Sequence, residues 1–176
     1  VYNWPLFHSV VRELQPNAVM FSDGGPDIRW IGNENGFAGE TNWSTMFRDD
    51  FYPGVPDKNK ELNEGQKGGT HWLPGEVDVS IRPGWFYHKD QDDKVKSPEK
   101  LLRIWLESVG RNANLLLNFP IDTRGLVHET DAANVIAMKQ LIDRFTMTDV
   151  ALLATVSATN VRDGFDATNV NDDDDA

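Results

Sequence analysis

The feature that most limits how this chain can fold is its alternation of short apolar runs with amphipathic helical stretches. Phe7, Val10, Val11 and Leu14 recur at i, i+3, i+4 and i+7, with Pro5 early enough to sit in a first turn. This predicts an amphipathic helix, which Gln15-Pro16-Asn17 breaks. Ala18-Val19-Met20-Phe21-Ser22 follows and empties into Asp23-Gly24-Gly25-Pro26, as expected of a strand buried on both faces. Val77-Asp78-Val79-Ser80-Ile81 alternates as a half-buried strand should. Ser97-Pro98-Glu99 opens a second helix with a cap, a first-turn proline and an acid favourable to the dipole, and Gly110 ends it. That helix is apolar around most of its girth and needs cover on more than one side. Asn114 to Phe119 reads as a third buried strand, and a helix from about Thr130 to Phe145 carries Val135, Met138, Leu141, Ile142 and Phe145 on its inner stripe.

Helices alternating with strands predict an α/β fold with a parallel sheet, whose commonest closed form is the eight-stranded (β/α)8 barrel of about 250 residues. Three strands and their helices consume almost the whole chain, yet three parallel strands cannot cover one another on both faces. The chain, opening at Val1 and stopping inside an acidic run, is therefore expected to be part of a domain. Gly24 to Gly75 shows little periodicity and is expected to be a long connection, ordered because it carries Trp30, Trp43 and Trp72. After Thr146 the pattern changes, so a boundary is expected near residue 149. Residues 1–149 then form a partial barrel, and 150–176 the opening strands of an all-β domain. Asp172 to Asp175 reads as a charged loop, with a calcium site as the lesser alternative.

Composition narrows the partners. With 17 Lys+Arg against 28 Asp+Glu the net charge is −11, which repels nucleic acid and anionic membrane surfaces. No apolar run approaches the roughly 18 to 20 residues of a membrane span. Cysteine is absent, which removes disulfides, zinc-thiolate sites and thiol nucleophiles.

In parallel α/β barrels the reactive residues lie at the carboxyl ends of strands. That rule selects Asp23, Asp27, Arg29, Trp30, Asn33 and Glu34, then His71, Trp72, Glu76, Asp78, Arg82, Trp85, Tyr87 and His88, then Asn118, Asp122 and Arg124. Carboxylates dominate, and no phosphate loop, HExxH or serine–base arrangement accompanies them. Carboxylates with indoles suit carbohydrate chemistry. A glycosidic oxygen leaves only when protonated, the charge developing on the ring needs a facing carboxylate, and Trp rings cover the C–H faces of a sugar. A non-catalytic carbohydrate-binding protein would use the same residues without turnover. For Arg29 the alternative to a sugar contact is a salt bridge to Asp23 or Asp27.

Four segments carry a family resemblance. They are Phe21-Ser22-Asp23 with Gly25 to Gly36, Trp72 to Asp78 with Arg82 to His88, Ser108 to Asn118, and Asp122-Thr123-Arg124-Gly125. In this order they resemble bacterial α-L-fucosidases of glycoside hydrolase family 29, over nearly all of residues 1–149. The stretch Asp27 to Glu34 is similar to the subgroup that removes α-1,3- and α-1,4-linked fucose from branched, Lewis-type glycans. The resemblance implies the C-terminal half of a (β/α)8-like barrel, then the start of a β-sandwich. It also implies retaining hydrolysis by an Asp nucleophile upstream of Val1 and a Glu acid/base, with no cofactor and no metal, in an exported, periplasmic or extracellular protein acting on a fucosylated oligosaccharide or glycoconjugate. Glu34 is the preferred acid/base, on a loop that Gly32 and Gly36 would let move, and Glu76 is its rival. Arg29 and Trp85 would contact fucose. Asp27, Asn33, Trp30 and Trp43 would contact the neighbouring galactose branch.

Overall fold

The computed structural model describes residues 2–54 and 57–171; the Asp172–Asp175 run, and with it the calcium alternative, lies outside the described residues. In chain order the elements are α1 (Trp4–Leu14), β1 (Phe21–Ser22), β2 (Ile28–Trp30), β3 (Thr45–Met46), α2 (Asn59–Glu64), β4 (His71–Trp72), β5 (Gly75–Ser80), α3 (Pro98–Ser108), β6 (Asn114–Asn118) and α4 (Glu129–Thr146). Local chemistry sets the helix starts. Asn3 accepts from the Leu6 amide ahead of α1, and Ser97 accepts from the Lys100 amide ahead of α3.

Four strands form one parallel sheet in the order β1-β2-β5-β6. The register pairs Trp30 with Glu76, and Glu76, Asp78 and Ser80 with Asn114, Leu116 and Asn118. Because side chains alternate along a strand, this register sorts the sheet into two chemically distinct faces. Val79 joins Ile81, Leu101 and Ile104 in a buried cluster against α3, with Leu115, Leu117 and Met138 packed on it. Val77 closes a second cluster with Ile31 and Ala38. The opposite face carries Glu76, Asp78, Ser80, Asn114 and Asn118.

Two expectations are corrected. The connection from Gly24 to Gly75 contains β2, a central strand of the sheet, together with α2 and the antiparallel β3–β4 pair. Met46, Phe51, Leu62 and Leu73 give that region its own small core. Neither the first nor the last strand is buried on both faces: Phe21 is 45% and Leu116 43% exposed. Both strands stand at edges of the sheet, and helices cover only one face of it among the described residues. The described residues after 150 carry two short 3-10 turns, Ala151–Leu153 and Ala167–Val170, and one isolated Arg162–Phe165 bridge. Among the described residues no helix is long and apolar enough to cross a membrane.

Candidate active site

The polar face of β5 and β6 is built as rungs. Asn114 Nδ2 donates to Glu76 Oε2 at 2.6 Å, near the amino ends of the strands. One pleat further on, Trp30 Nε1 donates to Asp78 Oδ1 at 2.7 Å. At the carboxyl ends, Asn118 Nδ2 donates to Ser80 Oγ and to the Trp85 carbonyl, both at 3.1 Å, while Ser80 Oγ donates to the Gly84 carbonyl at 2.7 Å. Side chains of the sheet thus hold the turn that carries Trp85.

Above this rim Glu34, Asp78, Trp85, Phe86 and Asn118 line an open cleft of about 530 Å³. Trp85 Nε1 donates to Glu34 Oε2 at 2.7 Å, joining the loop after β2 to the loop after β5. Glu34 itself is exposed. Its loop is pinned rather than loose. Gly32 and Gly36 adopt φ of +86° and +92°, a region that favours glycine, and a Cβ on Gly36 would fall 2.9 Å from the Ile104 side chain. The Ala38 amide donates to the Glu107 carbonyl at 2.9 Å, and Asn33 Oδ1 accepts from the Asn35 amide at 2.9 Å. The two glycines shape the loop against its neighbours, Gly36 against Ile104 of α3 and Gly32 against Asn59 and Leu62 of α2.

Asp78 is half-buried, and burial is the main cause that pushes its carboxyl above the ordinary range. The Trp30 N–H opposes that rise, whereas the nearby Glu34 and Glu76 carboxylates add to it.

The remaining sequence candidates are placed elsewhere. Arg29 is fully buried on the other face of the sheet, where Nε donates to the Leu62 carbonyl (2.9 Å), Nη1 to the Leu73 carbonyl, and Nη2 to Asn42 Oδ1 (2.7 Å). It is placed as a strut between β2 and the small core, away from the cleft, and makes no ion pair with Asp23 or Asp27 among the described residues. Its register neighbour Gly75 leaves room for the guanidinium, and burial pushes its pKa down to about 10. Asp27 pairs with Arg12 and accepts from the Met20 amide at 2.7 Å, which holds its carboxyl below the usual range. Trp43 lies outside the cleft, 41% exposed, with Lys67 Nζ over its ring at 5.9 Å. Asn33 builds the loop turn, and Trp30 reaches the cleft through Asp78. Glu76 is 8% exposed, a pleat below Asp78 and tied to Asn114.

Sequence reasoning placed Asp78 and Asn118 near strand ends without selecting them, and passed over Phe86. The i, i+2 step from Glu76 to Asp78 is the signal that marks Asp78. Among the described residues no three His, Asp or Glu side chains are grouped to hold a metal ion.

Carboxylates met by indole N–H groups near the carboxyl rim of a parallel sheet, beside an exposed aromatic face, are a side-chain set suited to carbohydrate. The alpha-L-fucosidase family model matches residues 36–145, and the chain belongs to that family. Alpha-L-fucosidase 1 of Arabidopsis thaliana is 39% identical over 161 residues, covering 92% of this chain and 31% of the plant protein. The chain therefore spans about a third of the length of the relatives it matches. Among solved structures, SpGH29 superposes with a TM-score of 0.87 at 36% identity, over 98% of this chain and 38% of that one. A glycoside hydrolase 29 family member from an unknown rumen bacterium gives 0.81 at 41%, over 90% and 28%. A Ruminococcus gnavus GH29 fucosidase in complex with fucose gives 0.78 at 26%, over 99% and 37%.

Proposed function

We propose that this chain supplies the acid/base half of a retaining α-L-fucosidase site, acting on terminal α-1,3- and α-1,4-linked L-fucose of branched, Lewis-type glycans. The observation that carries the reading is Glu34, anchored through Oε2 by the Trp85 indole at 2.7 Å, over an open cleft at the carboxyl rim. Protonated Glu34 gives its proton to the glycosidic oxygen. A carboxylate about 5 to 5.5 Å across the sugar attacks the anomeric carbon, and Glu34 then removes a proton from the water that releases fucose. Trp85 and Phe86 offer apolar surface to the C–H side of the sugar, and no cofactor takes part. The facing carboxylate is an Asp in the part of the relatives' length that this chain does not span, and Glu76, tied to Asn114, is the lesser acid candidate.

In this reading residues 1–149 are the C-terminal half of a (β/α)8 barrel, supported by the four parallel strands and the likeness to glycoside hydrolase 29 structures, and 150–176 open a β-sandwich. The protein is an exported bacterial enzyme whose partner is a fucosylated oligosaccharide or glycoconjugate. The fucose in the Ruminococcus gnavus structure supports the sugar, and the Asp27 to Glu34 stretch supports the linkage class.

In the full-length protein, Glu34→Gln is expected to lower turnover of a fucosylated trisaccharide by roughly 10²- to 10⁴-fold. It should largely spare an aryl fucoside with a very good leaving group, and azide should accelerate that residual reaction. Undiminished trisaccharide turnover in Glu34→Gln, with loss in Glu76→Gln, would move the acid/base to Glu76.

A further inference from the structure

Among the described residues the buried aspartates, Asp131 and Asp122, and the partly buried Asp92 are each paired with an arginine. Asp131 receives a bidentate grip from Arg82, Asp92 takes the third arm of the same guanidinium, and Asp122 pairs with Arg124. Asp78 differs. It is half-buried, makes no ion pair among the described residues, and has Oδ1 held by Trp30 Nε1 at 2.7 Å. Its own backbone amide also meets the carboxylate, no side chain other than Trp30 donates to it among the described residues, and it lines the cleft with Glu34 and Trp85. A partly desolvated carboxylate with an open acceptor position lacks hydrogen-bond donors, and a sugar hydroxyl is a donor of the right size. The strand backbone and the Trp30 indole together fix where that acceptor stands.

We propose that Asp78 is a substrate-contact residue that sets specificity, its Oδ2 accepting a hydrogen bond from one ring hydroxyl of the bound sugar while Trp30 locks the carboxylate. This rests on the fucosidase reading for the identity of the sugar. A hydroxyl is demanded because its absence leaves the carboxylate desolvated and unpaired, a penalty that methyl or C–H contacts cannot repay.

The test uses the full-length protein, with L-fucose and its 2-, 3- and 4-deoxy analogues as calorimetric ligands and the corresponding aryl fucosides as substrates. Wild type is expected to lose roughly 10- to 100-fold in affinity for one deoxy analogue. Asp78→Ala should lose a similar factor on fucose and no further factor on that same analogue. Asp78→Asn, near-isosteric and still able to accept from Trp30, controls for folding through its thermal transition. Asp78→Ala that weakens every analogue equally, with wild-type discrimination intact, would make Asp78 a prop for Trp30 and overturn the proposal. So would unchanged fucose affinity. Fucose binding with no hydrolysis of any fucoside would instead sink the hydrolase reading and leave the Asp78 contact measurable.

Discussion

At the scale of single residues, the face on which a side chain lands decides its role, and a shift of one position reverses it. Arg29 and Trp30 are neighbours in a three-residue strand, so one enters the packed layer and the other the polar face. Arg29 reads in sequence like a sugar ligand because an arginine beside acids and indoles has that chemistry; only the register with Gly75 shows it pointing the other way. Trp30, Glu34 and Trp85 were legible as cleft material, since loops after strands collect at one rim. The pairing of each carboxylate with an indole was not legible, because Trp30 and Asp78 are joined only by the sheet register and Glu34 and Trp85 only by loop geometry. If Arg29 is a strut, Arg29→Met in the full-length protein keeps the volume but orphans two buried carbonyls, at roughly 1–3 kcal/mol each, so about 2–6 kcal/mol of stability should be lost in urea titration. The KM for an aryl fucoside should not move. A raised KM at unchanged stability would return Arg29 to the sugar.

At the scale of elements, the three long helices were readable, whereas the six-residue α2 and the short strands β2, β3 and β4 were not. Ser97, Pro98 and Glu99 announce α3 by capping chemistry that acts locally, and α4 begins within a residue of its expected start. Three residues of β2 carry no periodicity, so nothing local separates them from loop. The element that matters most for the cleft is the stretch between β5 and α3, which presents Trp85 and Phe86. It is held at its base by Arg82, fully buried, whose Nε and Nη2 grip Asp131 at 2.8 Å and whose guanidinium lies 4.8 Å from the Tyr87 ring centroid. Asp131 comes from the first turn of α4, so that helix and the Trp85 turn are coupled through one ion pair. Asp131→Ala leaves the guanidinium buried with only Asp92 to balance it, and removing one partner of a buried pair costs about 3–5 kcal/mol. The loss should appear in chemical denaturation together with faster amide exchange across residues 83–91. Destabilisation without faster exchange there would separate the ion pair from the cleft.

At the scale of the whole molecule, α3 is packed on the sheet with α4 against it, whereas α1 and the sheet edges are more open. Helix α1 has no buried residue, its stripe residues Phe7 and Val10 are each 46% exposed, and Val19 ahead of β1 and Phe21 within it face solvent. Exposed apolar faces beside open strand edges lower the free-energy gap between the native arrangement and looser compact states, because the contacts that would distinguish them are missing. The net charge of −11 opposes indiscriminate aggregation of such a species. The 176-residue chain on its own is therefore expected to remain in solution with much of its helix content, to bind a hydrophobic dye such as ANS, to unfold over a broad temperature range, and to leave fucosides intact. Far-ultraviolet and near-ultraviolet circular dichroism followed through the same thermal scan tests this directly. Two coincident, steep transitions with no dye binding would show that the α3–α4 layer and the small core around Met46 and Leu62 suffice for a unique fold.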